Sequence, residues 1–310
     1  MKNFLLLIIL SIGFIPAHSQ SFNELIAEAD EKYDQEAYGE SAELYEKALT
    51  NEAGSVGQNY NAACSFALAG DEEKSIYYLE RAAKAGYKNV DWMKQDEDLK
   101  SLHDHEKWEE IVSIALANKE EYEKDFDKEL QAQLERIYVE DQTLRHLLNP
   151  AKEKFGKDSD NMGYLWKLIN KEDERLLDEV VSIIDEHGWV GRSEVGGKAN
   201  TALWLVIQHA PLEVQEKYIP LLEESVKKGE SSGSHLALLV DRIEMRNGRP
   251  QIYGSQITTN PETGEQVVHE LADPQNVNKR RAEVGLGPLE EYAKHFGITW
   301  TVPEETNSSN

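Results

Sequence analysis

The sequence predicts a mainly α-helical protein: helical repeats in the N-terminal third, then an α-helical domain with a small β-hairpin. Three observations carry this. The chain matches itself at an offset of 34 residues, apolar residues recur at helical spacing, and strand-like stretches bounded by turn residues are confined to residues 251–258 and 266–271.

The chain opens with Lys2, an apolar run over residues 4–15 and the small-residue site Ala17-His18-Ser19, the three parts of a secretory signal. The run is shorter than the roughly 20 residues of a membrane-spanning helix, so residues 1–19 are expected to be cleaved and the product exported, periplasmic or secreted. No cysteine follows the run for acylation, and no later stretch is apolar enough to insert in a membrane.

The full chain carries a net charge of -25, and residues 21–150 hold 31 acids against 14 bases. A surface so acidic repels phosphate backbones and anionic headgroups, which argues against nucleic acid and lipid surfaces and for basic or neutral partners, unless the charge serves only to keep an exported protein in solution. The single cysteine, Cys64, excludes an internal disulfide, and its apolar setting marks it as a buried small hydrophobe.

At the 34-residue offset Ala29 aligns with Ala63, Tyr38 with Glu72, Ser41 with Ser75, Tyr45 with Leu79, and Ala48 with Ala82. Small residues let paired helices approach while Tyr38 and Tyr45 fill the gaps beside them, so two helix-turn-helix units are expected, with Gly70 in a turn. Tyr38-Gly39-Glu40-Ser41, Tyr45 and Ala48, then Gly70-Asp71, Ser75 and Ala82, resemble the tetratricopeptide-repeat family. Lys32 and Glu72 stand where aromatics are usual, and the closing proline is absent from both units. The resemblance implies a concave groove that binds an extended peptide or a neighbouring domain; the other reading is that the repeats merely pack on the second domain. No cofactor is expected. Two repeats need a further element to close the stack. Residues 90–117, with Trp92, Leu99, Leu102, Trp108, Ile111 and Ile114 as apolar positions, are expected to be a degenerate third unit.

Residues 20–118 are therefore read as the repeat domain and residues 119–148 as a connecting helix. Tyr122, Phe126, Leu130, Leu134 and Ile137 make its single apolar stripe, and its polar faces suggest a solvated bridge. Pro150 should break the helix near residue 148. Residues 149–302 form the second domain and residues 303–310 a disordered tail.

Within residues 163–210 two helical patterns flank a glycine-rich loop, Gly188 to Gly197. Gly197-Lys198 fails as a phosphate-binding loop because the glycine spacing is one residue too long, Ala199 replaces the hydroxyl, and a helix precedes it. Gly229-Glu230-Ser231-Ser232-Gly233 spells a nucleophile elbow but reads as a glycine-capped helix end.

The chemistry-bearing residues lie further on. His209 closes an apolar helix face, Asp241 and Arg242 edge the next, and Tyr253 and Gln256 follow. His209 as general base with Asp241 orienting it, and Gln208, Arg242, Tyr253 and Gln256 holding substrate, is one reading; a buried network fixing helices to the hairpin is the other. Arg280 and Arg281 start a short helix, one paired with an acid and an exposed anion site as the lesser reading. No metal site is expected, since His103 and His105 diverge on a helix or turn and lack a third ligand.

The segments W-L-x-x-Q-H-A, D-R, Q-x-Y-G-x-Q and R-R-A-E-x-G-L-x-P-L resemble an uncharacterised bacterial domain, domain of unknown function family 6624, over about residues 125–295. Ser255 replaces its usual threonine. The resemblance implies a recurring unit of exported proteins and brings no catalytic residues with it. The functional expectation is a non-catalytic scaffold with a polypeptide in the repeat groove, the alternative a hydrolase-like enzyme built on His209 and Asp241.

Overall fold

The computed structural model describes residues 20–303; the expected signal peptide and residues 304–310 of the expected tail lie outside them. The fold is mainly α, with one small two-stranded sheet among the described residues. Two compact units divide the chain, one ending at Lys124 and one starting at Asp125. No described helix is long and apolar enough to cross a membrane.

The first unit runs α1 (Phe22–Asp34), α2 (Tyr38–Asn51), α3 (Val56–Leu68), α4 (Glu72–Lys84), α5 (Val90–Gln95), a 3-10 turn (Glu97–Leu102) and α6 (Trp108–Tyr122). The 34-residue offset recurs in its hydrogen bonds. Ser21 and Ser55 each cap a helix in a reciprocal box with Glu24 and Gln58. The turns close alike, with Ala37 N donating to Lys32 O and Asp71 N to Phe66 O. Glu36 and Gly70 occupy the same left-handed position, a conformation glycine adopts without the Cβ penalty that Glu36 bears. The buried hydroxyls of Ser41 and Ser75 donate to Ala29 O and Ala63 O at 2.8 and 2.6 Å.

Ala29, Tyr45, Ala48, Ala63, Leu79 and Ala82 are all in the core, while Tyr38 is half-buried with its ring edge against Tyr33. The third unit departs from expectation. Its first helix is cut to the six residues of α5, because Asp96 leaves the helix in an extended conformation and caps the 3-10 turn through Asp98 N. Leu99, Leu102, Trp108 and Ile111 close the core, but Trp92 is 55% exposed.

The second unit contains α7 (Lys128–His146), α8 (Leu148–Phe155), α9 (Asp160–His187), α10 (Arg192–Val195), α11 (Gly197–His209), α12 (Leu212–Lys227) and α13 (Gly233–Arg246). The hairpin β1 (Ile257–Thr259) and β2 (Gln266–Val268) follows, then a 3-10 turn (Pro274–Asn276), α14 (Val277–Glu283) and α15 (Leu289–Lys294). The continuous connecting helix is not observed. The helix stops at Tyr122 and restarts at Lys128, where Asp127 caps it by accepting from Leu130 N. Leu130, Leu134 and Ile137 are then core residues against α9 and α11, so α7 is a central helix of the second unit and no solvated bridge. Pro150 falls in the first turn of α8, where its missing N–H costs nothing.

The strands are shorter than expected. Register pairs Ile257 with Val268 and Thr259 with Gln266, and outside this ladder Gln251 makes one isolated bridge to Leu271. The intervening residues 252–256 serve another purpose, described below. Helix α13 begins where Gly233 presses on the carbonyl of Val284, which an added Cβ would meet at 1.9 Å.

Candidate functional site

The residues named from sequence fall into two clusters in the second unit, and the expected His209–Asp241 pair is not one of them. Asp241 is fully buried on α13. Its Oδ1 accepts from the backbone N–H groups of Ile252 and Tyr253 at 2.7 and 2.8 Å, and its Oδ2 from that of Ser255 at 2.8 Å. Three backbone donors satisfy the carboxylate and hold residues 252–255 out of the ladder, so Asp241 orients a loop and not an imidazole.

Gln251, also fully buried, bonds its amide to Gln256 O and His269 O while accepting from Gln256 N. Gly254 supplies the positive φ this loop needs and leaves room for Leu289. Gln256 donates to Leu238 O and Ser255 Oγ. Arg281, only 3% exposed, donates to Gly287 O and Tyr253 O and lies over the Tyr292 ring. Arg280 donates to Ile252 O and pairs with Asp273 at 3.1 Å. Asp241, Gln256, Arg280, Arg281 and the Tyr253 backbone thus clamp one loop, and both arginines expected as partners of an acid or an anion donate mainly to carbonyls, Arg280 also to Asp273.

His209, the last residue of α11, has different partners. Arg145 on α7 places Nη2 at 2.8 Å from its Nδ1, at 2.5 Å from Asp173 Oδ1 on α9, and its Nε at 3.4 Å from Asp141 Oδ2. A guanidinium only donates, so Nδ1 accepts and a neutral ring carries its proton on Nε2. Burial, reinforced by the Arg145 charge, pushes His209 down to about 4. Asp141 is buried, and its Oδ1, 3.9 Å from His209 Nδ1, has no hydrogen-bond partner. A cavity of about 270 Å³ opens beside the cluster, lined by Asn170, Asp173, Glu174, Leu177, Val206, His209, Ala210 and Pro211.

Arg242 and Arg246 on α13 cap the C-terminal end of α11, donating to Gln208 O and Ala210 O at 3.0 and 2.9 Å, and Gln215 joins Arg242 on Gln208 O. Gln208 therefore enters through its backbone, and Arg242 through helix capping. Sequence reasoning passed over Asp141, Arg145 and Asp173. The signal for Asp141 was present: it continues the spacing of Leu130, Leu134 and Ile137, a carboxylate on the face that goes into the core.

The first unit holds a larger cavity, about 390 Å³, lined by Asp30, Asp34, Asp96 and Asp98, the tyrosines 33, 45 and 60, Asn61, Cys64 and Trp92. Tyr45 donates to Asp30, Tyr33 to Asp98, and Tyr60 to Asp96 at 2.7 Å. Among the described residues no lysine or arginine pairs with any of these four aspartates. Cys64 is buried with its thiol pushed up by burial, the opposite of what a nucleophile needs.

A helical unit with internally repeated hydrogen bonds, followed by a helical domain whose loop is clamped on a buried aspartate, defines the architecture. The chain belongs to a family of unknown function, DUF6624, whose model matches residues 128–301. No curated protein and no solved structure matches it.

Proposed function

We propose that this protein is an exported, non-catalytic scaffold whose tetratricopeptide-like repeats hold a polypeptide by a basic side chain. One observation carries the reading: four aspartates face a single cavity with no lysine or arginine partner among the described residues, and aromatic rings surround them. The tyrosine hydroxyls hold three of these carboxylates in place, so the acidic lining is fixed before a ligand arrives. Fixed carboxylates with an exposed Trp92 at the rim suit a guanidinium or ammonium group, which gains charge-assisted hydrogen bonds and a ring face together. The secretory-type N-terminus and the acidic surface agree with a partner met outside the cytoplasm. In the second unit, Asp241 gives both its oxygens to backbone N–H groups, which supports the scaffold reading over a His209–Asp241 pair.

Isothermal titration of the chain lacking residues 1–19 with arginine- and lysine-containing peptides tests this. Saturable binding is expected that weakens steeply with added salt, and by about tenfold or more in an Asp30→Asn, Asp98→Asn double variant, in line with about 1.5–3 kcal/mol for a hydrogen bond to a charged group. Equal binding of acidic and basic peptides, or none of either, would discard the proposal.

A further inference from the structure

We propose that Asp141, Asp173 and His209 form a divalent transition-metal site, which Arg145 fills with its guanidinium until a metal displaces it. The inference is independent of the peptide-binding reading and concerns the other unit. It starts from the buried Oδ1 of Asp141, which has no hydrogen-bond partner. A carboxylate oxygen withdrawn from water and left without a donor is costly, and in a native structure such an atom points to an absent water or ion.

The surroundings favour an ion. One oxygen from each aspartate and a ring nitrogen of His209 all lie within 4.8 Å of one another. Asp141 Oδ1 and His209 Nδ1 are 3.9 Å apart, which two ligands about 2.1 Å from one ion can span. The three groups come from separate helices, α7, α9 and α11, whose packing fixes the spacing. A mixed set of two carboxylates and an imidazole suits zinc or manganese better than calcium, which takes oxygen alone.

Arg145 is the counter-argument and also part of the mechanism. Its guanidinium touches all three groups, so the site already holds one positive charge where a dication would carry two. Its side chain can turn toward solvent because it is 15% exposed, whereas that of Asp141 is 1% exposed and stays. Arg242 and Arg246 stand nearby, each donating through Nη1 to a carbonyl at the end of α11, Gln208 O and Ala210 O. On its open side the site meets the 270 Å³ cavity, where Asn170, Glu174 or water would complete the coordination.

The test is titration of the chelator-treated chain, without residues 1–19, with Zn²⁺ and Mn²⁺, and with Co²⁺ followed by its visible absorption. One equivalent is expected to bind. Asp141→Asn, Asp173→Asn and His209→Ala should each weaken binding at least tenfold, and Arg145→Met should strengthen it by removing the competing cation. Circular dichroism checks each fold, and the more exposed Asp173 keeps the test open if the Asp141 variant unfolds. Failure of both the unaltered chain and Arg145→Met to bind any of the three ions would overturn the proposal. So would binding that none of the three ligand substitutions changes, which would place the ions on the acidic surface.

Discussion

At the scale of single residues, the second unit puts its most strongly held carboxylate to structural use. Asp241 accepts three backbone N–H groups with no exposure to solvent, so removing its charge weakens a whole loop at once. In Asp241→Asn one oxygen becomes an amide that presents hydrogens to donors. We expect a loss of about 2–3 kcal/mol, the range for hydrogen bonds to a charged group and for a buried group left unsatisfied. Urea unfolding followed by circular dichroism measures it. A variant as stable as the parent would mean that the loop holds itself through Gln251 and Arg281 alone.

At the scale of elements, the two helical hairpins obey one rule, visible in Ser41 and Ser75, which lie 34 residues apart and make equivalent hydrogen bonds. Ser75→Ala should cost about 1 kcal/mol, the usual net value of a buried hydrogen bond, and Ser41→Ala at least as much, because Ser41 Oγ also meets the buried Ser65 Oγ at 2.9 Å. Chemical denaturation of both variants checks this; a Ser41→Ala variant clearly less destabilised than Ser75→Ala would deny that the shared bond carries the cost. The repeats were legible because small residues at a fixed offset, Ala29 and Ala63, Ser41 and Ser75, Ala48 and Ala82, are properties of local sequence. The caps Ser21 and Ser55 obey the same offset, yet their role appears only through bonds to Glu24 and Gln58. The break at residues 123–127 was hidden because Tyr122 and Phe126 keep the apolar spacing across it, and only packing against α9 and α11 pulls α7 into the core. The His209 cluster was half legible. His209 stood out on its apolar helix, but Arg145 and Asp173 carry no pattern that links them to it, being joined by the packing of α7, α9 and α11.

At the scale of the whole molecule, net charge and buried histidine pull stability in opposite directions as the solution is acidified. A chain of charge -25 repels itself, and protonating exposed carboxylates near and below pH 4 relieves that repulsion. His235 acts earlier. It stacks on Trp204 with ring centres 4.0 Å apart, its Nδ1 is buried without a partner, and burial alone pushes it down to about 4. Its folded value lies below the ordinary 6.5, so between about pH 6.5 and 4 the unfolded chain binds the proton and the folded chain does not. Stability is therefore expected to fall across that window as pH drops, by on the order of 2–3 kcal/mol from this residue. His235→Phe keeps the stacking and removes the titration, so its stability should vary less between pH 7 and 4.5 than that of the parent. The shift at His209 has the same sign but is common to both proteins and cancels in the comparison. Added salt separates the two effects, since screening weakens the repulsion between surface carboxylates and leaves the cost of burying a charged imidazole almost unchanged. Thermal unfolding at paired pH values in low and high salt makes the measurement. If the two proteins show parallel pH profiles in high salt, His235 is not buried against protons and the stacked pair with Trp204 opens to solvent.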